Sequence, residues 1–449
     1  MSSFRTITKS ATGLIAILLA VFFFCGLSQR NDIRHISPVI IEWLKQNVKP
    51  FETADPNYTH NDLIFLKDMV GNARIVSLGE ATHGTREFFL MKHRILRFLV
   101  EEMDFTTFAL EASWPESNLV NDYVQSGRGD PAKLLAGLHF WTWNTQEVLD
   151  MILWMKGYNE NPDHRQKVSF FGFDMQYPAM TMDNVITYLQ NIDPPAKNYA
   201  ELLYALFRSY LDNPSRYFSA SPEIKSECQR KVQEAFDLLK RNQSTYIGLS
   251  SPKEFALALQ SARIVIQAED VFSGRAGGSG RDRYMAENVS WILENSGADA
   301  KIVLWAHNEH VKAGTTDLTL GKALRLQYKD DLTIFGFSFF RGSFIAIPDW
   351  SRTRFPCFNI VHQASIPPED SYEYRFCLAG QPFFFLDFRG VDYNSEATGW
   401  LMGPLNFRAI GAIYDEAMPL LYFSKRQLPQ EFDVIIYFQD TSPSTPLGF

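Results

Sequence analysis

Residues 77–89 read SLGEATHGTREFF, so a carboxylate, Glu80, stands three residues ahead of an imidazole, His83, where the apolar run RIVSL stops. Other short apolar runs end on ionisable groups in the same way. FALEA closes on Glu111, FFGFD on Asp174, and KIVLWAHNEHV carries His307 and His310. A His is the natural general base near neutral pH, because its ordinary pKa lies close to operating pH. A neighbouring carboxylate fixes its tautomer and orientation. A second carboxylate can position water, and a protonated second His can stabilise an oxyanion forming at a carbonyl. Glu80, His83, Glu111, His307 and His310 therefore suit water activation. The chain has neither a GxSxG elbow, which argues against a serine hydrolase, nor an HExxH motif.

Two other readings stay open. Two His and two Glu could hold a zinc ion, giving a metal-dependent hydrolase or peptidase built on the same cluster. Alternatively, the chain keeps the fold without catalysis and binds an envelope glycan or a small molecule. Around the cluster, Asp174 and Arg86 are candidate substrate-binding residues, although Asp174 could equally cap a helix. Arg86 could take a carboxylate or an oxyanion, or pair with Glu87 or Glu111. His93 lies within a helical stretch and reads as structural. The Trp-rich HFWTWNTQE (139–147) walls a pocket or packs at a helix start.

These residues need elements to position them. RIVSLGE (74–80), TTFALEA (106–112), KVSFFGFD (167–174), KIVLWAHN (301–308) and TIFGFSF (333–339) read as buried strands, apolar on both faces. REFFLMKHRILRFLVEEM (86–103) and RDRYMAENVSWILEN (281–295) read as helices between them. The alternation predicts an α/β protein with a largely parallel central sheet flanked by helices. Ligands in such sheets bind beyond the carboxyl ends of the strands, where all five candidates fall. Residues 180–272 break the alternation and read as a helical insertion. SGRAGGSG (273–280) follows as a flexible joint, DVIIYF (433–438) is a late strand, and QDTSPSTPLGF is a Pro-rich tail.

With 449 residues, 46% of them hydrophobic, the chain can bury a large core. The formal charge of −8 and the lack of a long basic block exclude nucleic acid as an expected partner. Arg5 and Lys9 precede the apolar run GLIAILLAVFFFCGL, so residues 1–28 read as an export signal or an N-terminal anchor. That places the domain spanning 35–449 in the periplasm or outside the cell, with the membrane a partner only through such an anchor (residues 11–27). Beyond Cys25 remain Cys228, Cys357 and Cys377, an odd number; Cys357 and Cys377 could pair.

Together, LGEATHGTREFF, FALEA, FFGFDMQ, RDRYMAENVSWIL, KIVLWAHNEHV and FDVIIYF resemble the erythromycin esterase family, over most of the chain from about residue 40. The resemblance implies an α/β sheet with added helices and a metal-independent hydrolase, free of cofactors, that opens a macrolide lactone by adding water. It implies His83 as the general base, Glu111 as a residue that helps hold the water, and Glu80, His307 and His310 as the remaining members of the site. The expected partner is a small ester or lactone.

Overall fold

The computed structural model describes residues 36–314, 316–349 and 359–448. Residues 1–28 and Cys357 lie outside this range, and with them the export or anchor segment and the Cys357–Cys377 pairing. No helix among the described residues is long and apolar enough to cross a membrane.

The core of the fold is a mostly parallel sheet. Its strands are β1 (Lys49–Pro50), β2 (Ile75–Leu78), β3 (Thr107–Ser113), β4 (Ser169–Asp174), β5 (Ile302–Trp305), β6 (Leu332–Pro348), β7 (Ile360–Ala364), β8 (Phe383–Asp387), β10 (Ile413–Tyr414) and β12 (Val434–Thr441), and β9 (Leu405–Arg408) pairs separately with β11 (Phe423–Arg426). The main path runs β1-β8-β12-β6-β2-β5-β3-β4. All pairings from β12 to β4 are parallel, whereas β8 and β1 close one edge antiparallel. The six predicted strands are all present.

The interior strands are buried on both faces, as a parallel sheet covered by helices requires. In β2, Ile75 packs on one side while Val76 and Leu78 pack on the other; Val303 and Leu304 of β5 divide the same way. Helix Arg86–Met103 covers one face, inserting Phe88, Phe89, Ile95, Leu96 and Leu99. Helix Gly280–Asn295 covers the other through Met285, Val289 and Ile292.

β6 is much longer than the predicted 333–339. It bends at Gly342, where φ is +128° and a Cβ would sit 2.2 Å from the carbonyl oxygen of Thr441, so only glycine fits. Beyond the bend, β6 pairs antiparallel with β7.

The helical insertion is as expected, running from Ala179–Ile192 to Pro252–Phe272. Several of its helices start by one local rule. Asp193, Asn213, Ser221 and Ser251 cap them with side-chain acceptors, each followed by Pro in the first turn. The expected joint at 273–280 is a hydrogen-bonded turn in which Ala276 N–H donates to Asp270 O at 3.1 Å and Arg275 pairs with Glu269 and Asp270. It delivers Arg281 to the first turn of the next helix.

Candidate active site

The parallel order places β2, β3, β4 and β5 side by side, so their carboxyl ends meet on one edge of the sheet. Glu80 and His83 follow β2, Glu111 lies near the end of β3, Asp174 ends β4, and His307 and His310 follow β5. The structure gathers these six into two hydrogen-bonded groups.

The first group is built on Glu80, whose side chain is fully buried. One carboxylate oxygen accepts from His83 Nδ1 at 2.7 Å. The other accepts from Lys92 Nζ at 2.5 Å and from the Trp305 indole N–H at 2.8 Å. Burial alone would push this carboxyl up, but the Lys92 ammonium and His83 bring it down to about 2. An ionised carboxylate only accepts, so Nδ1 of His83 carries the proton. Nε2 is then left as the basic nitrogen on a ring that lines an open cleft. Burial lowers Lys92 to about 8 although Glu80 opposes it. Its Nζ also lies 4.3 Å from the Trp305 ring centroid.

Arg281 organises the second group. Its guanidinium reaches Glu111 Oε1 and Asp174 Oδ2, both at 2.7 Å. His310 donates from Nδ1 to Asp282 at 2.8 Å, and its Nε2 lies 3.3 Å from Glu111 Oε1. Burial disfavours the imidazolium, but Glu111 and Asp282 outweigh it and raise His310 to about 10. Arg281 Nη1, 3.1 Å from His310 Nε2, is then a like-charged neighbour rather than a donor to it. Glu111 is held well below the usual carboxylate range: His310 and Arg281 overcome its desolvation. Its second oxygen accepts the backbone N–H of His307 at 3.0 Å.

His307 behaves differently from its neighbour. Its Nδ1 accepts from Glu309 N–H at 3.1 Å, and its Nε2 lies 3.0 Å from the carbonyl oxygen of Ile410, to which it donates. Burial, then the nearby His83, lowers it to about 4. His307 is thus a neutral wall, its ring centroid 4.9 Å from that of His83, and His310 is the charged imidazole of the pair. Glu309 lines the same cleft and pairs there with Arg426 and with Lys312, each at 2.5 Å.

The cleft outside these groups has a volume of about 420 Å³. His83, His307 and His310 form one wall, and Leu421, Tyr422 and Phe423 form another. Glu111 and Asp174 lie behind the histidines and do not line it. Arg86 is not part of either group. It takes neither of the partners its sequence neighbourhood suggests, and instead pairs with Glu147 at 3.3 Å.

The donor set does not suit a metal. Glu80 faces an ammonium, both nitrogens of His307 bond to backbone groups, and His310 is engaged by two carboxylates. Among the described residues, no group of three or more His, Cys, Asp or Glu is placed to hold a metal ion.

Lys92, Arg281 and Asp282 were not singled out from sequence. Lys92 did leave a signal, because it sits on the stripe Phe88, Phe89, Lys92, Leu96, Leu99 that otherwise faces the core. A lone charge on such a stripe needs a buried counter-ion. Arg281 lies 170 residues from Glu111, and local pattern gives no hint of that pairing.

The fold and site define an α/β protein of largely parallel sheet whose strand ends, the usual place for a ligand, converge on histidines and carboxylates. The chain belongs to the Erythromycin esterase family, whose sequence profile matches residues 100–441. Erythromycin esterase type II of Escherichia coli is 24% identical over 430 residues, covering 90% of this chain and 98% of that protein. A Bacillus cereus protein of known crystal structure is 29% identical, with a TM-score of 0.80 over 91% of this chain and 98% of its own. A crystal structure described as a succinoglycan biosynthesis protein is 26% identical, with a TM-score of 0.78 and the same coverage. The family supports a hydrolase of the esterase type.

Proposed function

We propose that the protein hydrolyses a carboxylic ester or lactone with water activated by His83. One observation carries this reading: Glu80, ionised and fully buried, holds Nδ1 of His83 at 2.7 Å and leaves Nε2 free toward the cleft. Nε2 takes a proton from water as the oxygen attacks the carbonyl carbon. The imidazolium so formed is stabilised by Glu80. It later returns the proton to the departing alkoxide. His310, charged and on the same cleft wall, supplies positive potential to the developing oxyanion. Glu111 acts through His310 and Arg281, keeping both charges in place. The apolar wall of Leu421, Tyr422 and Phe423 favours a substrate with a hydrophobic acyl or ring portion.

The test is turnover of a panel of lactones and simple esters, including a 14-membered macrolide, with and without chelator. Wild type should hydrolyse at least one member regardless of chelator. His83→Ala should lower kcat by about 10²–10⁴ with folding retained, the usual worth of a general base. Undiminished turnover in His83→Ala removes the assignment. A stoichiometric metal whose chelation abolishes activity refutes the metal-free mechanism.

A further inference from the structure

A second cleft, of about 710 Å³, opens at the opposite end of the sheet. Thr106 and Thr107 at the start of β3 and Ser169 at the start of β4 line it, whereas His83 follows the carboxyl end of β2. Three helices line it: helix Pro252–Phe272 contributes Lys253, Glu254, Leu257, Ala258 and Ser261, and two others present polar stripes. Helix Trp114–Ser126 contributes Asn118, Asn121, Asp122 and Gln125. Helix Ala179–Ile192 contributes Asn184, Thr187, Tyr188 and Asn191. Each quartet follows the spacing i, i+3, i+4, i+7, which marks a single helix face.

Where two neighbouring helices face each other, such stripes are ordinarily apolar. Here both are rich in carboxamides, and each helix satisfies its core with a different face: Val120 and Val124 on one, Met182, Val185 and Leu189 on the other. Several of these amides are anchored. Asn121 Oδ1 accepts the Phe170 N–H at 2.9 Å, and Gln125 Nε2 donates to Val168 O at 2.8 Å. Such bonds fix the wall and leave the Asn121 amide protons and the Gln125 carbonyl without a bond to the protein. Asn118, Asn184 and Asn191 spend no side-chain bond on the protein. Phe171 and Tyr188, partly buried against the core, add some aromatic surface. The ionised lining residues, Asp122 and Glu254 against Lys167 and Lys253, balance in number.

We propose that this cleft binds a neutral oligosaccharide. Hydroxyl groups both donate and accept, and a carboxamide matches them with two donors and one oxygen in a plane. The C–H face of a pyranose suits an aromatic ring, and balanced charge gives an anion or cation no preference. The volume is within the range of about 300–1,000 Å³ typical of small-ligand sites. This proposal does not depend on the reaction assigned to His83.

The test is isothermal titration of the purified protein with neutral tri- and tetrasaccharides of glucose, galactose and N-acetylglucosamine at millimolar concentration, using wild type, Asn118→Ala/Asn184→Ala and His83→Ala. Neither amide holds up the fold, so the double variant should match the wild-type melting temperature. Saturable binding to at least one saccharide is expected. Losing two amide contacts should weaken it about tenfold or more, and His83→Ala should leave it unchanged. No binding across the panel overturns the proposal, as does equal affinity in the double variant. Binding lost in His83→Ala but kept in the double variant would assign the sugar to the other cleft and also overturn it.

Discussion

Lys92→Met isolates what the buried ammonium does for Glu80. Methionine is close to lysine in length and apolar, so the space stays filled and only the charge goes. Both partners are fully buried, and their bond is 2.5 Å, so no bulk water can replace the lost donor. Stranding one member of a buried ion pair costs about 3–5 kcal/mol. The variant should therefore lose about 3–5 kcal/mol at neutral pH by urea denaturation. The pH dependence has a definite sign. In wild type the pair's contribution is present above the unfolded carboxyl value and is lost as pH falls through about 2. In Lys92→Met, the carboxyl is raised instead and protonates early, so the gap to wild type narrows as the medium is acidified from neutrality. Glu80→Gln combined with Lys92→Met removes both charges and should cost less than the sum of the singles by about 2 kcal/mol or more. A Lys92→Met protein within about 1 kcal/mol of wild type at neutral pH, or strict additivity in the cycle, refutes this account of the site.

Turnover should fall as pH rises through about 8, where Lys92 loses its proton, and Lys92→Arg should abolish this limb because arginine stays charged. Stability should not fall with it: between about 8 and 10.5 the unfolded chain binds more protons at Lys92 than the folded one, so that group's contribution rises with pH. Comparing a pH–rate profile with a pH–melting profile separates the two. Gly84→Ala should lower kcat steeply even where the fold survives, because its Cβ would stand 2.2 Å from the Ile345 backbone oxygen and push the segment carrying His83 out of place. Unchanged turnover with an unshifted melting temperature would count against that positioning role.

The sheet was largely legible because its signals are local. Each interior strand is a short apolar run, and a parallel sheet brings all carboxyl ends to one edge, so Glu80, His83, Glu111, Asp174, His307 and His310 could be grouped without knowing strand order. The antiparallel edge formed by β8 and β1 escaped, since FFFLD has the same composition whichever way it pairs. The Pro-rich tail was read only as a tail. In the structure it braces the loop that carries His83: Ser444 N–H donates to Gly84 O, Arg86 N–H to Ser442 O, and Glu87 and Glu147 bind Ser442 and Thr445. Those contacts join residues about 300 or more apart in the chain, and no periodicity encodes them.

The histidine pair marks where spacing stops being informative. His307 and His310 are three residues apart and chemically identical, and the sequence allowed either to carry charge. Both are deeply placed, so desolvation pushes both toward neutrality. What separates them is the partner each meets. His307 spends its ring on a backbone N–H and a backbone carbonyl, which suit the neutral tautomer, and burial together with His83 outweighs the opposing pull of Glu80 and Glu309. His310 meets two carboxylates, Glu111 and Asp282, supplied by β3 and by the helix after the insertion. Their attraction exceeds the cost of burial and reverses the direction of the shift. Neighbouring titratable groups held apart in this way divide the acid, base and electrostatic roles of a site. Here the division rests on contacts that only the folded chain creates: Asp282 arrives because the turn at 273–280 is ordered, and Glu111 because β3 lies beside β5.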